Sequence, residues 1–515
     1  MNGAESLVRT LVAGGVDVCF TNPGTSEMHF VAALDRVEGM RCVLGLFEGV
    51  VTGAADGYAR MLDRPAATLL HLGPGLGNGL ANLHNAKKAA VPIVNIVGEH
   101  ATYHIGYDSP LTADIEGIAR PVSHWVKTSR SAQVVAADGA AAIAAARTAP
   151  GQIATLILPA DTAWNEGSGI ARTAAPAPRR RIDDAAIENA ARVLKANGKD
   201  AMLMLTGPAL RERPLELAGR IAAATGCRLS AQWSNVRMQR GAGRVFIPRL
   251  PYAVDPTLAM LKDVRYLVLC GARQPVAFFA YPDKPSLLTP DGCAIHKFAA
   301  LEDDLPDALE RLAEALNARQ AAPVLQQAQR PDAPTGAFTL DKLGAALGAT
   351  LPENAVVIDE SVTSGRGFAP FTAGAPPHDW ITNMGGSIGF STPVAVGVAI
   401  AAPERKVVCL TGDGSAFYTL QSLWTMAREK LDVLVVIFAN RSYAILRGEL
   451  AGVGAGNPGP KAIDMLTLDR PDPDWVALAK GMGVEGVRVA DSDQLVKALQ
   501  AGFAAKGPRL IEVWM

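Results

Sequence analysis

Two short polar segments follow apolar runs in the last quarter of the chain: Gly412-Asp413-Gly414-Ser415 and Asn440-Arg441-Ser442. Glycines let a backbone approach an anion closely, and free N–H groups at the start of a helix favour negative charge. An aspartate there would repel a phosphate unless a cation lay between them. Asp413, Asn440 and a nearby backbone carbonyl are the oxygen ligands that an octahedral hard cation prefers. The pattern therefore predicts a magnesium site shared with a bound diphosphate.

Apolar strands that alternate with helices must position these segments. Strands are predicted at Arg41–Phe47, Ala67–Leu72, Pro92–Val97, Lys406–Thr411 and Val433–Phe438. A helix is predicted from Glu48 to Ala59, and a second one carries the apolar stripe Phe417, Leu420, Leu423, Trp424 and Ala427. Strands that are apolar on both faces and separated by helices are typical of parallel sheets covered on each side. The predicted fold class is α/β, with doubly wound parallel sheets that bind ligands beyond the carboxyl ends of their strands.

Two linker-like stretches divide the chain. Residues 170–182 combine proline, alanine and three consecutive arginines, which we interpret as a solvated connector. Residues 318–336 are rich in proline, glutamine and alanine and show no sustained period. We therefore expect three domains, at residues 1–170, 183–320 and 335–515, each of ordinary domain size.

Composition excludes several classes of protein. The 515 residues are 49% hydrophobic and 19% charged, and the net charge is −1, so the chain is not a disordered protein. The balance of charge predicts neither a nucleic-acid nor a membrane-surface partner. Six scattered cysteines without metal-ligand spacing, and an N-terminus without a secretion signal, predict a cytoplasmic protein.

Several segments together resemble enzymes that depend on thiamine diphosphate (ThDP). The pattern G-D-G-S followed by N-x-S is similar to the diphosphate and magnesium motif of that family. Further matching segments are Asn22-Pro23-Gly24-Thr25, Glu48 with Gly57-Tyr58-Ala59-Arg60, Gly73-Pro74-Gly75-Leu76-Gly77-Asn78 and Gly385-Gly386-Ser387-Ile388-Gly389-Phe390. The resemblance covers nearly the whole chain, in the order pyrimidine-binding, middle and diphosphate-binding domain. It points to the benzoylformate decarboxylase and acetolactate synthase large-subunit group.

The resemblance implies a role for each matching residue. Asp413, the Asn440 side chain and the Ser442 carbonyl would bind magnesium. Glu48 would contact the aminopyrimidine ring from a neighbouring subunit, which implies a homotetramer built from dimers. The Gly386 carbonyl would hold the amino group of that ring, and Ile388 would keep the cofactor bent. The remaining cofactor contacts would come from Asn22, Pro23, Gly24, Asn78, Thr363, Gly414, Ser415, Tyr443 and Ala444.

Individual residues resemble different enzyme groups within this family. The loop with Thr25, together with His71, is most similar to benzoylformate decarboxylase, where a hydroxyl and a histidine handle the substrate. Decarboxylases of that type also use a histidine of the middle domain, and Ala280 stands near the expected position. His104 lies near the place where pyruvate decarboxylases carry paired histidines, so it is a further catalytic candidate. The middle domain lacks the segment associated with flavin in acetolactate synthases, so we expect no FAD.

The resemblance implies a ThDP- and magnesium-dependent enzyme that decarboxylates a 2-oxo acid through an enamine intermediate. The products would be an aldehyde, a carboligation product, or both. One alternative is a true acetolactate synthase that couples pyruvate. Another is a non-catalytic, ThDP-binding regulatory subunit, against which the intact Glu48, Asp413 and Asn440 argue.

Overall fold

The computed structural model describes all 515 residues, and the first of its three sheets has six parallel strands in the order β2-β1-β3-β4-β6-β5. These strands are β1 (Val18–Asn22), β2 (Arg41–Leu44), β3 (Ala66–Leu70), β4 (Ile93–Glu99), β5 (Trp125–Thr128) and β6 (Ile153–Pro159). The accompanying helices are α1 (Gly3–Ala13), α2 (Met28–Arg36), α3 (Glu48–Leu62), α4 (Leu72–Lys88), α5 (Ile115–Ala119), α6 (Val135–Arg147) and α7 (Ala160–Trp164). Strands β3, β4 and β6 are buried along their whole length, which explains their continuous apolar sequences.

The middle sheet has four parallel strands in the order β11-β10-β7-β8. This part of the chain contains β7 (Ala201–Leu205), β8 (Arg228–Ala231), β9 (Met238–Arg240), β10 (Tyr266–Cys270) and β11 (Ala294–Ala299). Its helices are α8 (Asp184–Asn197), α9 (Glu212–Thr225), α10 (Val254–Leu261) and α11 (Leu305–Ala315). Strand β9 leaves this sheet and pairs antiparallel with a strand of the third sheet.

Leucine side chains cover the carboxyl edge of the middle sheet. Gly207 follows β7 and Gly271 follows β10, and both have positive φ angles. A Cβ on Gly207 would lie 2.8 Å from Leu301 Cδ1, and one on Gly271 would lie 2.6 Å from Leu305 Cδ1. Two leucine side chains therefore pack onto these glycines at the edge where a doubly wound sheet usually binds its ligand.

The third sheet has seven strands in the order β16-β17-β15-β14-β12-β13-β9. Its own strands are β12 (Val356–Glu360), β13 (His378–Thr382), β14 (Val407–Gly412), β15 (Val433–Ala439), β16 (Glu485–Val489) and β17 (Arg509–Trp514). The helices are α12 (Leu340–Thr350), α13 (Phe368–Phe371), α14 (Ser391–Ala401), α15 (Asp413–Ala416), α16 (Ser422–Arg428), α17 (Ala444–Gly452), α18 (Pro460–Met465), α19 (Trp475–Gly481) and α20 (Ser492–Ala504). Its strands are parallel except for β9.

Helices α3 and α14 join the first and third sheets through close backbone contact. A Cβ on Gly57 would lie 2.1 Å from the Val394 carbonyl oxygen, and one on Gly397 would lie 1.8 Å from that of Ala54. Larger side chains at these two glycines would force the helices apart. One apolar core therefore runs from the first sheet into the third.

The α/β fold class with three doubly wound, mainly parallel sheets is confirmed. One predicted helix differs, since the stretch after β14 is divided into α15, a short 3-10 turn at Phe417–Thr419, and α16. Predicted strand Ala67–Leu72 ends at Leu70, because Leu72 adopts a φ of +47° at the start of α4. None of the helices combines the length and apolar character that crossing a membrane requires.

Candidate active site

Asp413 stands at the carboxyl edge of the third sheet, directly after β14. Its side chain is buried, and its Oδ1 accepts a hydrogen bond from the Gly414 N–H at 2.8 Å. Its Oδ2 accepts one from the Arg441 N–H at 2.7 Å, in the loop after the neighbouring strand β15. The two segments that the sequence predicts to act together are thus in direct contact.

The loop after β15 presents two further oxygen atoms. The Asn440 Oδ1 accepts a hydrogen bond from the Ser442 N–H at 2.9 Å, which fixes the orientation of the amide. Arg441 and Tyr443 use their backbone groups to pair with residues 466–468. The Ser442 carbonyl between them receives no hydrogen bond from the chain. This carbonyl is therefore free to serve as a ligand.

The oxygen atoms of Asp413, Asn440 and Ser442 are suitable ligands for a divalent cation. Burial raises the pKa of Asp413 to about 6, and hydrogen bonds from the Arg441 and Gly414 N–H groups offset only part of that effect. The carboxylate makes no ion pair with a lysine or arginine side chain, so its charge is not balanced within the chain. A carboxylate, an amide oxygen and a free carbonyl form the oxygen set that Mg²⁺ prefers, with further positions left for phosphate and water.

Gly414 shapes the space in front of this site. A Cβ at Gly414 would lie 2.5 Å from Tyr443 Cε1, so only glycine lets the Tyr443 ring pack here. Ser415 follows in α15, and Ala444 begins α17 on the other side. The four residues predicted to line the diphosphate therefore border one concave edge of the sheet.

The segment 383–390 holds a second group of predicted cofactor contacts. The Asn383 Oδ1 accepts hydrogen bonds from the N–H groups of both Gly385 and Gly386, each at 2.9 Å. The carbonyls of Gly385, Ser387 and Gly389 accept hydrogen bonds from side chains of the chain. Gly386 has a φ of +81°, and its carbonyl has no such partner. It is therefore available to an amino group of a ligand.

Glu360 supports this segment, and the sequence analysis missed it. It ends β12 and is buried; its carboxylate accepts hydrogen bonds from the N–H groups of Phe390 at 3.1 Å and Ser391 at 2.9 Å. Burial raises the pKa of Glu360 to about 7, against the effect of these bonds. The only signal in the sequence is an acidic residue at the carboxyl end of an apolar strand.

Glu48 lies at the carboxyl edge of the first sheet, as the first residue of α3. It is 7% exposed, and its Oε2 accepts a hydrogen bond from Asn78 Nδ2 at 2.9 Å. A Cβ on Gly75 would lie 3.1 Å from the Glu48 Oε1. The predicted contacts Glu48 and Asn78 are therefore in contact with each other, beside the start of α4.

His71 forms a pair with Glu27, a residue that the sequence analysis did not single out. The His71 Nδ1 lies 2.9 Å from the Glu27 Oε2; since a carboxylate only accepts, this nitrogen carries the proton. Glu27 is buried and also accepts hydrogen bonds from the Gly24 N–H at 2.7 Å and the Ser26 hydroxyl at 2.7 Å. The pair leaves His71 Nε2 as the nitrogen able to exchange protons with a ligand. The signal for Glu27 was its place three residues after Gly24 in a loop that follows a strand.

The loop Asn22-Pro23-Gly24-Thr25 lies against His71, because a Cβ on Gly24 would overlap the imidazole ring. Thr25 itself is exposed at the tip of this loop. His104 is not brought to this group: it is exposed, and its ring packs 5.7 Å from those of His100 and Tyr107. Thr363 and Ile388 form no hydrogen bond with the other predicted residues.

Within one chain Glu48, Asn78 and His71 form no hydrogen bond with Asp413, Asn440 or Ser442, although α4 bonds to the segment 383–390 through Asn82, His84 and Asn85. Glu48, Asn78 and His71 bond to residues of the first sheet, whereas Asp413, Asn440 and Ser442 bond only within the third. Each edge is thus a separate half of the candidate site.

Comparison with known proteins gives matches over both halves. Residues 1–122 match the N-terminal TPP-binding domain of thiamine pyrophosphate enzymes, and residues 363–513 match their C-terminal TPP-binding domain. Thiamine pyrophosphate is another name for ThDP.

Similar proteins cover the whole chain. A Mycobacterium tuberculosis protein named "Putative acetolactate synthase large subunit IlvX" is 53% identical over 518 residues, covering 100% of this chain and 99% of its own. Benzoylformate decarboxylase of Pseudomonas aeruginosa is 29% identical over 97% of this chain and 96% of its own. Among solved structures, the ThDP-dependent 4-hydroxybenzoylformate decarboxylase of Rhodococcus jostii RHA1 superposes with a TM-score of 0.85, at 24% identity, covering 100% of this chain and 99% of its own.

Proposed function

The chain belongs to the thiamine pyrophosphate enzyme family, as its motifs predict, and on that basis we propose that it decarboxylates a 2-oxo acid. The products are an aldehyde, a carboligation product formed with a second carbonyl compound, or both. Bound ThDP supplies an electron sink that lets the bond between the carboxylate and the carbonyl carbon break. The observation that carries the proposal is the His71–Glu27 pair, which holds a proton-exchanging nitrogen near the Glu48–Asn78 pair.

We propose that Asp413, Asn440 and the Ser442 carbonyl hold Mg²⁺, and that Gly414 and Ser415 line the diphosphate. The unbalanced charge of buried Asp413 and the free Ser442 carbonyl support this assignment. The free carbonyl of Gly386 would accept the amino group of the aminopyrimidine ring, and Ile388 would lie under the bent cofactor. Asn22, Pro23, Gly24, Asn78, Thr363, Tyr443 and Ala444 are proposed as the remaining contacts.

Glu48 is proposed to share a proton with a nitrogen of the aminopyrimidine ring. A carboxylate at this point has only one side-chain donor, Asn78, so it keeps acceptor capacity for a ligand. His71 would deliver or remove a proton through Nε2, while Glu27 fixes the ring and its tautomer. Thr25 would supply a hydroxyl to the substrate carboxylate, and His104 stays a weaker candidate because it is exposed away from this pair.

We propose that the complete site forms between two subunits, the domains 1–170 and 335–515 supplying one half each. The support is that neither Glu48 nor its partner Asn78 forms a hydrogen bond with Asp413 or the other proposed magnesium ligands within one chain. Mixing the Glu48→Ala and Asp413→Ala variants tests this directly. A site shared between subunits predicts recovery of about a quarter of wild-type activity, because mixed dimers regain one intact site. No recovery, with mixed dimers demonstrated by mass spectrometry, would place both halves in one chain.

The reaction itself is tested by incubating the protein with Mg²⁺, ThDP and a panel of 2-oxo acids. Released aldehydes and coupled hydroxyketones are separated by chromatography. Ala280 stands where related decarboxylases carry a second histidine, so the intermediate left after decarboxylation should be protonated slowly. It then has time to react with a second carbonyl compound, and a coupled product should accompany the aldehyde. An acetolactate synthase, the second candidate, would consume pyruvate and release carbon dioxide and the coupled product, without free aldehyde. Failure to consume any 2-oxo acid would contradict the proposed function.

A further inference from the structure

An aromatic cluster of the middle segment borders the cofactor half of the site at Gly386. The Phe278 ring lies 2.8 Å from the position a Cβ of Gly386 would occupy. It packs against Trp233 at 5.5 Å, Tyr252 at 5.2 Å and Phe279 at 4.7 Å between ring centroids. Phe278 and Phe279 nevertheless stay 37% and 53% exposed. The cluster therefore presents aromatic surface toward the space in front of Gly386.

One acidic side chain, Glu449, stands at the other end of this cluster. It belongs to α17, the helix that starts directly after the proposed magnesium ligands, and it is half-buried. The Tyr252 hydroxyl donates a hydrogen bond to the Glu449 Oε1 at 3.3 Å. Tyr281 lies beside the same carboxylate, and its Cε1 is 3.9 Å from the position that a Cβ of Gly452 in α17 would occupy. Two phenols and one carboxylate thus converge at one point.

The charge of Glu449 has no counterion. Burial, followed by the hydrogen bond with Tyr281 and the charge of Glu449, raises the pKa of Tyr252, so this phenol keeps its proton. Burial and Glu449 likewise raise the pKa of Tyr281. Arg447, two residues earlier, donates instead to the Thr467 hydroxyl at 2.6 Å. No lysine, arginine or histidine of the chain forms an ion pair with Glu449, and its carboxylate keeps free acceptor sites.

We propose that Glu449, oriented by Tyr252 and Tyr281, recognises a positively charged group at the far end of the substrate side chain. This inference rests on the proposed function and specifies its substrate class: 2-oxo acids that end in a guanidino or amino group. Glu449 is the sixth residue of α17, so about 7.5 Å of helix separate it from Ala444, the second residue after Ser442. That length matches a side chain of about three methylenes ending in a guanidinium group. The exposed faces of Phe278 and Phe279 would line its path and attract the cation.

A substrate with a neutral side chain of the same length should bind more weakly. It would exclude water from Glu449 without replacing the lost interactions, and an unpaired carboxylate is costly to desolvate. A guanidinium group would instead form a charge-assisted hydrogen bond with the free acceptor sites. The site should therefore discriminate against molecules of equal length that lack the charge.

Binding of two non-reacting acids to the Mg²⁺–ThDP holoenzyme tests this inference. 5-Guanidinopentanoate carries the charge, and 5-ureidopentanoate is its neutral counterpart of nearly the same shape. Calorimetry should show about ten- to one-hundredfold tighter binding of the guanidino acid, as expected for a hydrogen bond to a charged group. Glu449→Gln should reduce this ratio to about one. Glu404→Gln, which changes an exposed glutamate far from the cluster, is the matched control and should keep the ratio.

Equal binding of the two acids to the wild type, or an unchanged ratio in Glu449→Gln, would overturn the inference. Retained ThDP affinity of this variant shows that it is folded. Turnover of 5-guanidino-2-oxopentanoate and pyruvate is measured in parallel. If neither 2-oxo acid is consumed but the guanidino acid still binds more tightly than the ureido acid, the proposed reaction is wrong and the cation site at Glu449 is supported. If pyruvate is consumed but the two non-reacting acids bind equally well, the proposed reaction is supported and the inference about Glu449 is wrong.

Discussion

The carboxyl edges of the middle and third sheets share an architecture and differ in what occupies them. Both edges have glycines just after parallel strands, at the place where such sheets bind ligands. At the middle sheet, Leu301 and Leu305 pack onto Gly207 and Gly271. At the third sheet, the same kind of position holds Asp413, whose buried carboxylate accepts two backbone hydrogen bonds and forms no ion pair with a side chain.

A doubly wound sheet thus offers a place for a ligand at its carboxyl edge without determining which ligand binds there. Leucine side chains pack onto the glycines of the middle edge, and the absence of FAD stays a prediction. Polar oxygen atoms follow β14 and β15 at the third edge, where we propose that a cation binds. Substitutions at the middle and third edges, and at the Glu48 and His71 positions, test this contrast.

Asp413→Ala should have the largest effect, a complete loss of ThDP binding. It removes the only charged ligand of the proposed magnesium site and leaves the diphosphate without a neutralising cation. Calorimetric titration with Mg²⁺ and ThDP measures the loss. Ser442→Ala is the matched control, since it keeps the backbone carbonyl and should bind nearly as well as the wild type. Equal damage from both variants would mean that the Ser442 side chain matters and that its assigned role is wrong.

Glu48→Gln should bind ThDP with little change and lose about 10²–10⁴ of its activity, as expected when acid–base assistance is removed. The diphosphate anchors lie at the other edge, so binding and turnover should separate. Calorimetry and steady-state kinetics on the same preparation provide the two readouts. A variant that turns over normally with cofactor bound would exclude Glu48 as the proton-sharing group.

His71→Ala should slow turnover of 2-oxo acids by about tenfold or more, since it removes the proposed proton carrier. Glu27→Gln should reduce activity less, because the ring loses an ionic partner but keeps a hydrogen bond. His104→Ala should have a smaller effect than His71→Ala, given its exposed position. The comparison of kcat/KM across the three variants checks this order. A larger loss from His104→Ala than from His71→Ala would reverse the assignment.

Leu301→Ala should have the smallest functional effect. It opens space at the middle edge and should lower the free energy of unfolding by about 1–2 kcal/mol, less than for a fully buried leucine. ThDP affinity should not change, because this edge holds no part of the proposed site. Thermal unfolding with and without ThDP measures both quantities, and exposed Leu287→Ala serves as the control. Weaker ThDP binding in Leu301→Ala would contradict the proposed independence of the edges.

Local sequence patterns predicted the parts of the fold and site that depend on neighbouring residues. The strands around Asp413 and Asn440 are continuous apolar runs, so their carboxyl ends and the polar residues after them could be located. The family resemblance supplied Glu48 and His71 through motifs that are contiguous in the chain. The helix break at Phe417–Thr419 was not visible, because the apolar spacing continues through it.

The residues that were missed act through contacts between distant parts of the chain. In the sequence, Glu27 is an ordinary loop residue. Its hydrogen bond with His71, 44 positions away, forms only in the folded chain. Glu360 reads as a strand end, and its hydrogen bonds to Phe390 and Ser391 depend on how α14 is placed. Glu449 reads as an ordinary helix residue, and Tyr252 reaches it across 197 positions. Such pairings require the packed structure.

Titration of the wild-type chain with ThDP, with and without Mg²⁺, and with FAD tests the contrast between the two edges most directly. We expect one ThDP per chain, binding that disappears when the divalent cation is chelated, and no binding of FAD. Binding of ThDP that is independent of a divalent cation, or binding of FAD in equal stoichiometry, would contradict this expectation.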